Sequence, residues 1–136
     1  MRCLPALLSI ILFSQVNLAA FAANEPKATN LDRPTMILVE NLDCPVCKEV
    51  RVNIAPVVEK YKSKINYIRL AVDDNGATAE AQKKAKELGV DWFLTDSAAT
   101  YPCVGAFSKK GRLVRELVGL RQATDYDNAV QKMLKP

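Results

Sequence analysis

Two apolar runs rich in β-forming residues, 35–40 (TMILVE) and 65–74 (INYIRLAVDD), are each followed by a segment of helical periodicity. After the first run, apolar residues recur at helical spacing from Cys47 to Tyr61. After the second run, a shorter helix is expected from Thr78 to Leu88, with Gly89 ending it. An order of strand, helix, strand, helix requires two parallel strands joined by a crossover helix. The chain is therefore expected to form an α/β fold.

The second half of the chain is less regular. Residues 91–102 (DWFLTDSAATYP) have no clear period, whereas CVGAFS and RLVRELVG, separated by Lys109-Lys110-Gly111, are typical of a β-hairpin. Thr124, with Asp127 three residues later, predicts the start of a final helix. The inward stripe of that helix is expected to consist of Tyr126, Ala129, Val130 and Met133. Together the elements predict a central mixed sheet of about four strands flanked by helices.

The first 22 residues have the layout of a secretory signal peptide, with Arg2, an apolar stretch and a small-residue exit at Ala20-x-Ala22. Polar residues interrupt the apolar stretch, and it is shorter than the ~20 apolar residues that a membrane-spanning helix needs. We expect cleavage before Ala23, with Leu18-x-Ala20 as the alternative exit, and no membrane span afterwards, which predicts a periplasmic or secreted protein. Residues 23–34 are interpreted as a flexible lead-in and residues 35–136 as one domain.

Charge and composition exclude some classes of partner. The whole chain has a formal net charge of +4, and its lysines and arginines are scattered among acidic residues. No basic patch with interleaved aromatic residues stands out along the sequence, so nucleic acid is not an expected partner.

The motif Cys44-Pro45-Val46-Cys47 separates the first strand from the first helix. Pro45 suits the first position of a helix, where its missing N–H costs nothing. Cys44 would then lie at the helix N-terminus, where unpaired N–H groups and the helix dipole favour a thiolate, and Cys47 would lie one turn in and beneath it. This placement predicts Cys44 as an attacking thiolate and Cys47 as the resolving thiol.

Two other interpretations of the motif stay open. A structural disulfide is one, although a two-residue loop constrains the unfolded chain very little. A metal site is the other. Zinc usually takes four ligands and the chain has no histidine, but Cu(I) accepts two thiolates. The position of the motif at a helix start favours redox chemistry, for which neither a metal nor a cofactor is expected.

Several strings resemble the thioredoxin family: ILVE before the motif, CPVCKEV, IAPVVEKY and YPCVGAFSKKGRLVRELVGL. The resemblance covers nearly all of residues 35–135. It implies a thioredoxin-like fold and a thiol–disulfide oxidoreductase whose partners are protein thiols or disulfides and a redox partner protein. It also implies that Pro102 is the family's cis-proline and that Tyr101, before it, helps to bind substrate.

The resemblance leaves the roles of some residues open. Asp43 stands where the family usually has tryptophan. Glu40 is the nearest match to a buried acid that assists proton transfer, and the alternative is a strand-end charge in water. Cys103 follows Pro102 and is either a small inward-facing residue or a third redox thiol. Trp92 and Phe93 are either buried aromatic residues or part of a partner surface.

Two rival functions remain. The string VENLDCPVC also resembles the metal-binding loop of heavy-metal-associated domains, with Leu42 in the usual place of methionine, which would make the protein a periplasmic Cu(I) carrier. That resemblance ends after the second strand, where a helical segment stands in place of a third strand. The other rival is an interaction or assembly factor of the same fold in which the motif is only structural.

Overall fold

The computed structural model of the chain describes residues 25–136. The signal peptide expected over residues 1–22 and its cleavage site lie outside this range. Among the described residues, no helix is both long enough and apolar enough to span a membrane.

Within residues 25–136 the chain forms five strands and four helices. In chain order these are β1 (Thr35–Asn41), α1 (Pro45–Tyr61), β2 (Asn66–Asp73), β3 (Gly76–Ala77), α2 (Ala79–Leu88), α3 (Asp91–Ser97), β4 (Cys103–Phe107), β5 (Leu113–Val118) and α4 (Ala123–Met133). The strands form one mixed sheet in the order β3-β2-β1-β4-β5. The expected parallel pair is β1 and β2, and the other neighbours are antiparallel.

The sheet has five strands, one more than the sequence predicted. The additional strand is β3, which has only two residues and pairs with the end of β2, Asp73 opposite Gly76. Gly76 adopts the positive φ of 108° that allows the chain to fold back there. A two-residue strand carries no period of its own, so its pairing could not be recognised in the sequence.

The sheet is covered on both faces, and β1 lies at its centre. Residues 35–40 of β1 are all buried, which explains why this strand is an unbroken apolar run rather than an alternating one. Alternate residues of β1 pack into two separate cores. Met36 and Leu38 contact the core that includes α1 and α4, whereas Ile37 and Val39 contact the core that includes α2 and α3.

Local signals placed the first two helices correctly. Pro45 is the first residue of α1, and the Thr78 hydroxyl caps α2 by accepting from Ala81 N at 3.2 Å. Gly89 ends α2 in the left-handed conformation, with φ 69° and ψ 33°.

The predicted cap of the last helix was wrong. Gln122 is the N-cap of α4, and the Asp125 carboxylate accepts a hydrogen bond from the Gln122 N–H at 3.1 Å. Thr124 lies inside the first turn. Asp127 instead accepts a hydrogen bond from Lys60 of α1 at 2.7 Å, so a tertiary contact uses the carboxylate that the sequence assigned to the cap.

Helix α3, within the segment that showed no clear period, was not predicted. It has seven residues and no side-chain cap. Phe93 and Leu94 bury it against the core shared with α2. Packing therefore stabilises a helix too short to be stable through its own propensity.

Candidate active site

The N-terminus of α1 presents one thiol to the surface. Cys44 is the N-cap residue of α1, with extended backbone angles, and its side chain is half-buried. Its sulfur accepts a hydrogen bond from the Cys47 N–H at 3.2 Å, in the position that a serine or threonine oxygen takes in an ordinary cap. One of the otherwise unpaired N–H groups of the helix therefore points at this sulfur, which favours negative charge on it.

The second thiol of the motif has a different environment. Cys47 is completely buried. Burial, together with its hydrogen bond to Cys44, raises the pKa of the Cys47 thiol from 9.0 to about 11. All three described cysteines are free thiols in this structure. The site therefore combines an accessible sulfur at the helix end with a buried, protonated one a turn further on, as the sequence predicted.

The peptide bond between Tyr101 and Pro102 is cis, as the resemblance implied. Pro102 is buried and Tyr101 half-buried. The Pro102 carbonyl accepts a hydrogen bond from Gly119 N at 2.8 Å, and Cys103, the next residue, pairs with Val39 of β1. Because β4 starts beside the end of β1, this bond lies at the same end of the sheet as Cys44.

Glu40 is buried and lies between two guanidinium groups. Its side chain is 1% exposed, so the alternative of a strand-end charge in water was wrong. One carboxylate oxygen accepts from Arg51 of α1 and the other from Arg69 of β2. Both arginines are partly exposed, which lets them keep water contacts while they neutralise the buried charge. The Glu40 charge also contributes, as a minor cause, to the raised pKa of Cys47.

Cys103 is separated from this cluster by the sheet. It is completely buried and belongs to the core on the α2 and α3 side, whereas Cys47 lies on α1 at the opposite face. Its thiol donates to a Glu116 carboxylate oxygen at 3.3 Å, and burial is the main cause that raises its pKa from 9.0 to about 12. The environment is that of a packed, protonated core thiol.

The aromatic residues that preceded Pro102 in the sequence also lie in the core. Phe93 is buried, and its ring centroid is 5.3 Å from that of Phe107. Trp92 is half-buried and packs edge-on against both rings at 6.0 Å. Their main role is therefore packing between α3 and the sheet.

Sequence reasoning missed Arg51 and Arg69, the partners of Glu40. Arg51 follows Cys47 by one helical turn, which was a usable signal for a cation near the motif. Nothing in the sequence pointed to Arg69. An apolar rim was also missed, because four exposed side chains at this end of the sheet had no individual signature: Leu42, Val46, Val118 and Leu120.

Comparison with solved structures identifies the fold. The chain is similar to a thiol:disulfide interchange protein of the thioredoxin family from Chlorobium tepidum TLS, with 16% identity and a TM-score of 0.57 over 76% of this chain and 81% of the other. It is similar to thioredoxin O2 from Arabidopsis thaliana, with 17% identity and a TM-score of 0.52 over 76% and 77%. It is also similar to StoA from Bacillus subtilis, with 14% identity and a TM-score of 0.51 over 74% and 84%.

No family model matches the chain, and no curated protein matches it in sequence. The identities to the solved structures are low, and the likeness is therefore one of fold. The fold is thioredoxin-like, as the resemblance implied, and it places the Cys44-x-x-Cys47 motif at the start of α1.

Proposed function

We propose that the protein is an exported thiol–disulfide oxidoreductase that acts on protein disulfides through Cys44 and Cys47. The observation that carries the proposal is the asymmetry of the two thiols. The Cys44 sulfur is accessible at the end of α1 and accepts an N–H hydrogen bond, whereas Cys47 is buried and protonated. Exchange requires one thiolate that attacks and a second thiol that is held back until a mixed disulfide has formed.

The reaction in the reducing direction has two steps. The Cys44 thiolate attacks one sulfur of a partner disulfide, the partner S–S bond breaks, and one partner thiolate leaves as the mixed disulfide forms. Cys47 then loses its proton and attacks the Cys44 sulfur, which closes the Cys44–Cys47 disulfide and releases the second partner thiol. Two electrons pass to the partner. The reverse sequence donates a disulfide.

The Cys47 proton needs an acceptor in the second step, and we assign this role to Glu40. Its carboxylate lies buried on the same face of the sheet as α1 and is close enough for its charge to affect Cys47. Arg51 and Arg69 occupy one oxygen each and hold the carboxylate in place. Glu40 therefore acts as a proton acceptor whose position the two guanidinium groups fix.

We assign substrate binding to Tyr101 and Pro102. The loop that carries them starts β4 at the end of the sheet where the half-buried Cys44 lies. The half-buried Tyr101 ring and the exposed apolar rim give this end a surface suited to an extended protein segment rather than to a small polar disulfide.

The test is a redox titration of the chain that starts at residue 23. The protein is equilibrated against thiol buffers of graded potential, and alkylated cysteines are counted by mass at each potential. We expect one reversible two-electron step confined to Cys44 and Cys47, with Cys103 unchanged. The Cys44→Ser variant should lose exchange with a partner disulfide. Undiminished exchange in that variant would sink the proposal.

The redox titration, together with a Cu(I)-binding assay on the reduced protein, distinguishes the two rival functions. Tight stoichiometric Cu(I) binding by the reduced protein, without thiol exchange, would favour the metal carrier. A motif that is inert in both assays would favour the assembly factor. The Cys47→Ser variant adds a direct test, because an active site should accumulate mixed disulfides with partner proteins through Cys44, whereas an inert motif should capture none.

Export is proposed from the sequence of residues 1–22, whose layout is that of a secretory signal. Mass analysis of the protein recovered from cells should find a chain that starts at Ala23 in the periplasmic or secreted fraction. A full-length chain in the cytoplasm would contradict the localisation without affecting the redox proposal.

A further inference from the structure

A groove of about 710 Å³ lies at the end of the domain opposite the cysteines. Its walls are the β4–β5 hairpin turn and the C-terminal end of α4. Five exposed cationic residues line it: Lys109, Lys110, Arg112, Lys132 and Lys135. The two groups of cations are about twenty residues apart in the sequence, and only the tertiary structure brings them to one groove.

The charge of this groove is not compensated by the protein. No acidic side chain lines it, and none of the five cations forms a salt bridge with any residue from 25 to 136. Several like charges held along one groove repel each other, so this arrangement is most stable when an anionic surface faces it.

Between the cations the groove is aliphatic. The other lining residues are all apolar except Ser108, and none is aromatic: Pro34, Ser108, Val114, Met133, Leu134 and Pro136. Single-stranded nucleic acid is normally held by aromatic side chains on which the bases stack, and the groove has none. Long cationic side chains around an aliphatic floor suit the interface between lipid headgroups and acyl chains.

The position of the groove fits the same partner. The polar lead-in reaches the domain at this end, where Ala28 N donates to the Gly111 carbonyl of the hairpin at 2.9 Å. The described start of the chain therefore contacts the domain at the basic end. From here β1 runs the length of the sheet, roughly 20 Å, toward Cys44 at the other end.

We propose that this basic groove docks the protein on a bilayer surface rich in anionic phospholipid headgroups, with Cys44 directed away from the membrane. The lysines contact the phosphate groups, and the aliphatic floor meets the upper part of the acyl chains. The docking orients the candidate active site toward soluble partners. This inference does not depend on the redox chemistry.

The test is co-sedimentation of the chain from residue 23 with vesicles of phosphatidylcholine, with and without phosphatidylglycerol. We expect binding only to the anionic vesicles, and weaker binding as salt is added. A Lys109→Gln/Lys110→Gln variant should bind roughly 30-fold more weakly, because each lysine near such a surface contributes about fivefold. A Lys83→Gln/Lys84→Gln variant loses the same charge from α2 and should bind almost as well as the parent chain.

Orientation gives a second readout. Bound to vesicles, the reduced protein should be alkylated at Cys44 as fast as in solution. Equal losses for the two double variants, or protection of Cys44 by vesicles, would overturn the proposed surface. Binding to soluble polyglutamate but not to anionic vesicles would also overturn it and would instead indicate an acidic protein partner.

Discussion

The Cys47 N–H donates a hydrogen bond to the Cys44 sulfur at 3.2 Å, so the two cysteines of the motif are linked across the first turn of α1. The backbone N–H of the buried residue thereby points at the sulfur of the half-buried one, while the Cys47 thiol itself is kept protonated by burial. Removal of either cysteine changes the environment of the other, and the pair should be treated as one unit in mutagenesis.

The raised pKa of Cys47 predicts how the stability of the reduced protein depends on pH. The folded state holds the Cys47 proton more tightly, with a pKa of about 11 against 9.0 as the ordinary value. The stabilisation is therefore complete below about pH 9 and is lost as the pH rises toward about 11. Urea denaturation of the reduced protein across this range should show a falling free energy of unfolding.

The control for this pH dependence is the Cys47→Ala variant. It lacks the titrating thiol and should lose less stability between about pH 9 and pH 11 than the parent chain. Cys103 and Tyr67, whose pKa values are raised from 9.0 and 10.0 to about 12, lose stabilisation over the same pH range and contribute a background common to both proteins. Equal losses in the two proteins would show that Cys47 does not cause the dependence.

The two arginines beside Glu40 together neutralise its buried carboxylate, and removing both should lower the free energy of unfolding. An Arg51→Met/Arg69→Met variant leaves a buried carboxylate without a cation and should be destabilised by about 3 kcal/mol. Adding Glu40→Leu removes the uncompensated charge and should restore much of that loss. Urea denaturation of the double and triple variants measures both effects.

An exposed ion pair provides the matched comparison for Glu40. Lys62, the C-cap residue of α1, is paired with Glu59, and both are mainly exposed. Lys62→Met should therefore change stability by no more than about 0.5 kcal/mol. If adding Glu40→Leu to the Arg51→Met/Arg69→Met variant lowered its stability further, the uncompensated Glu40 charge would not be the cause of the destabilisation.

Cys103 is predicted to be a packing residue. In the native protein it should resist alkylation under conditions in which Cys44 reacts, because it is completely buried and its pKa is raised to about 12. Denaturation should make it reactive. The Cys103→Ala variant should keep full exchange activity while it loses about 1–2 kcal/mol of stability. Loss of activity in a folded variant would instead support a third redox thiol.

Gly105 should not tolerate a side chain. An added Cβ would lie 2.6 Å from Phe93 Cζ and 2.8 Å from a Phe107 ring carbon, so Gly105→Ala should destabilise the protein by about 1–3 kcal/mol. Gly76→Ala is the companion variant. Its added methyl group meets nothing within 4 Å, and only its positive φ should cost about 1 kcal/mol. Thermal denaturation compares the two, and equal losses would contradict the steric explanation.

The sequence by itself determined the features that depend on near neighbours. Pro45 and Cys44 define the start of α1, Thr78 and Gly89 define the ends of α2, and the two β-rich runs with their helices specify the parallel pair. Caps, turns and the spacing of apolar residues in a helix depend on residues no more than about four positions apart. They can therefore be predicted from the residue types alone. The cis-proline at position 102 was predicted differently, from the resemblance of the string YPCVGAFSKKGRLVRELVGL to the thioredoxin family.

Only the tertiary structure decided the features that join distant parts of the chain. Glu40 meets Arg51 and Arg69 across 11 and 29 residues, and Cys103 faces away from the other thiols because of its register on β4. The basic groove arises where α4 ends beside the β4–β5 hairpin. These contacts depend on which side of the sheet each residue faces and on where each helix ends in space. Neither property can be predicted from residue type or local periodicity.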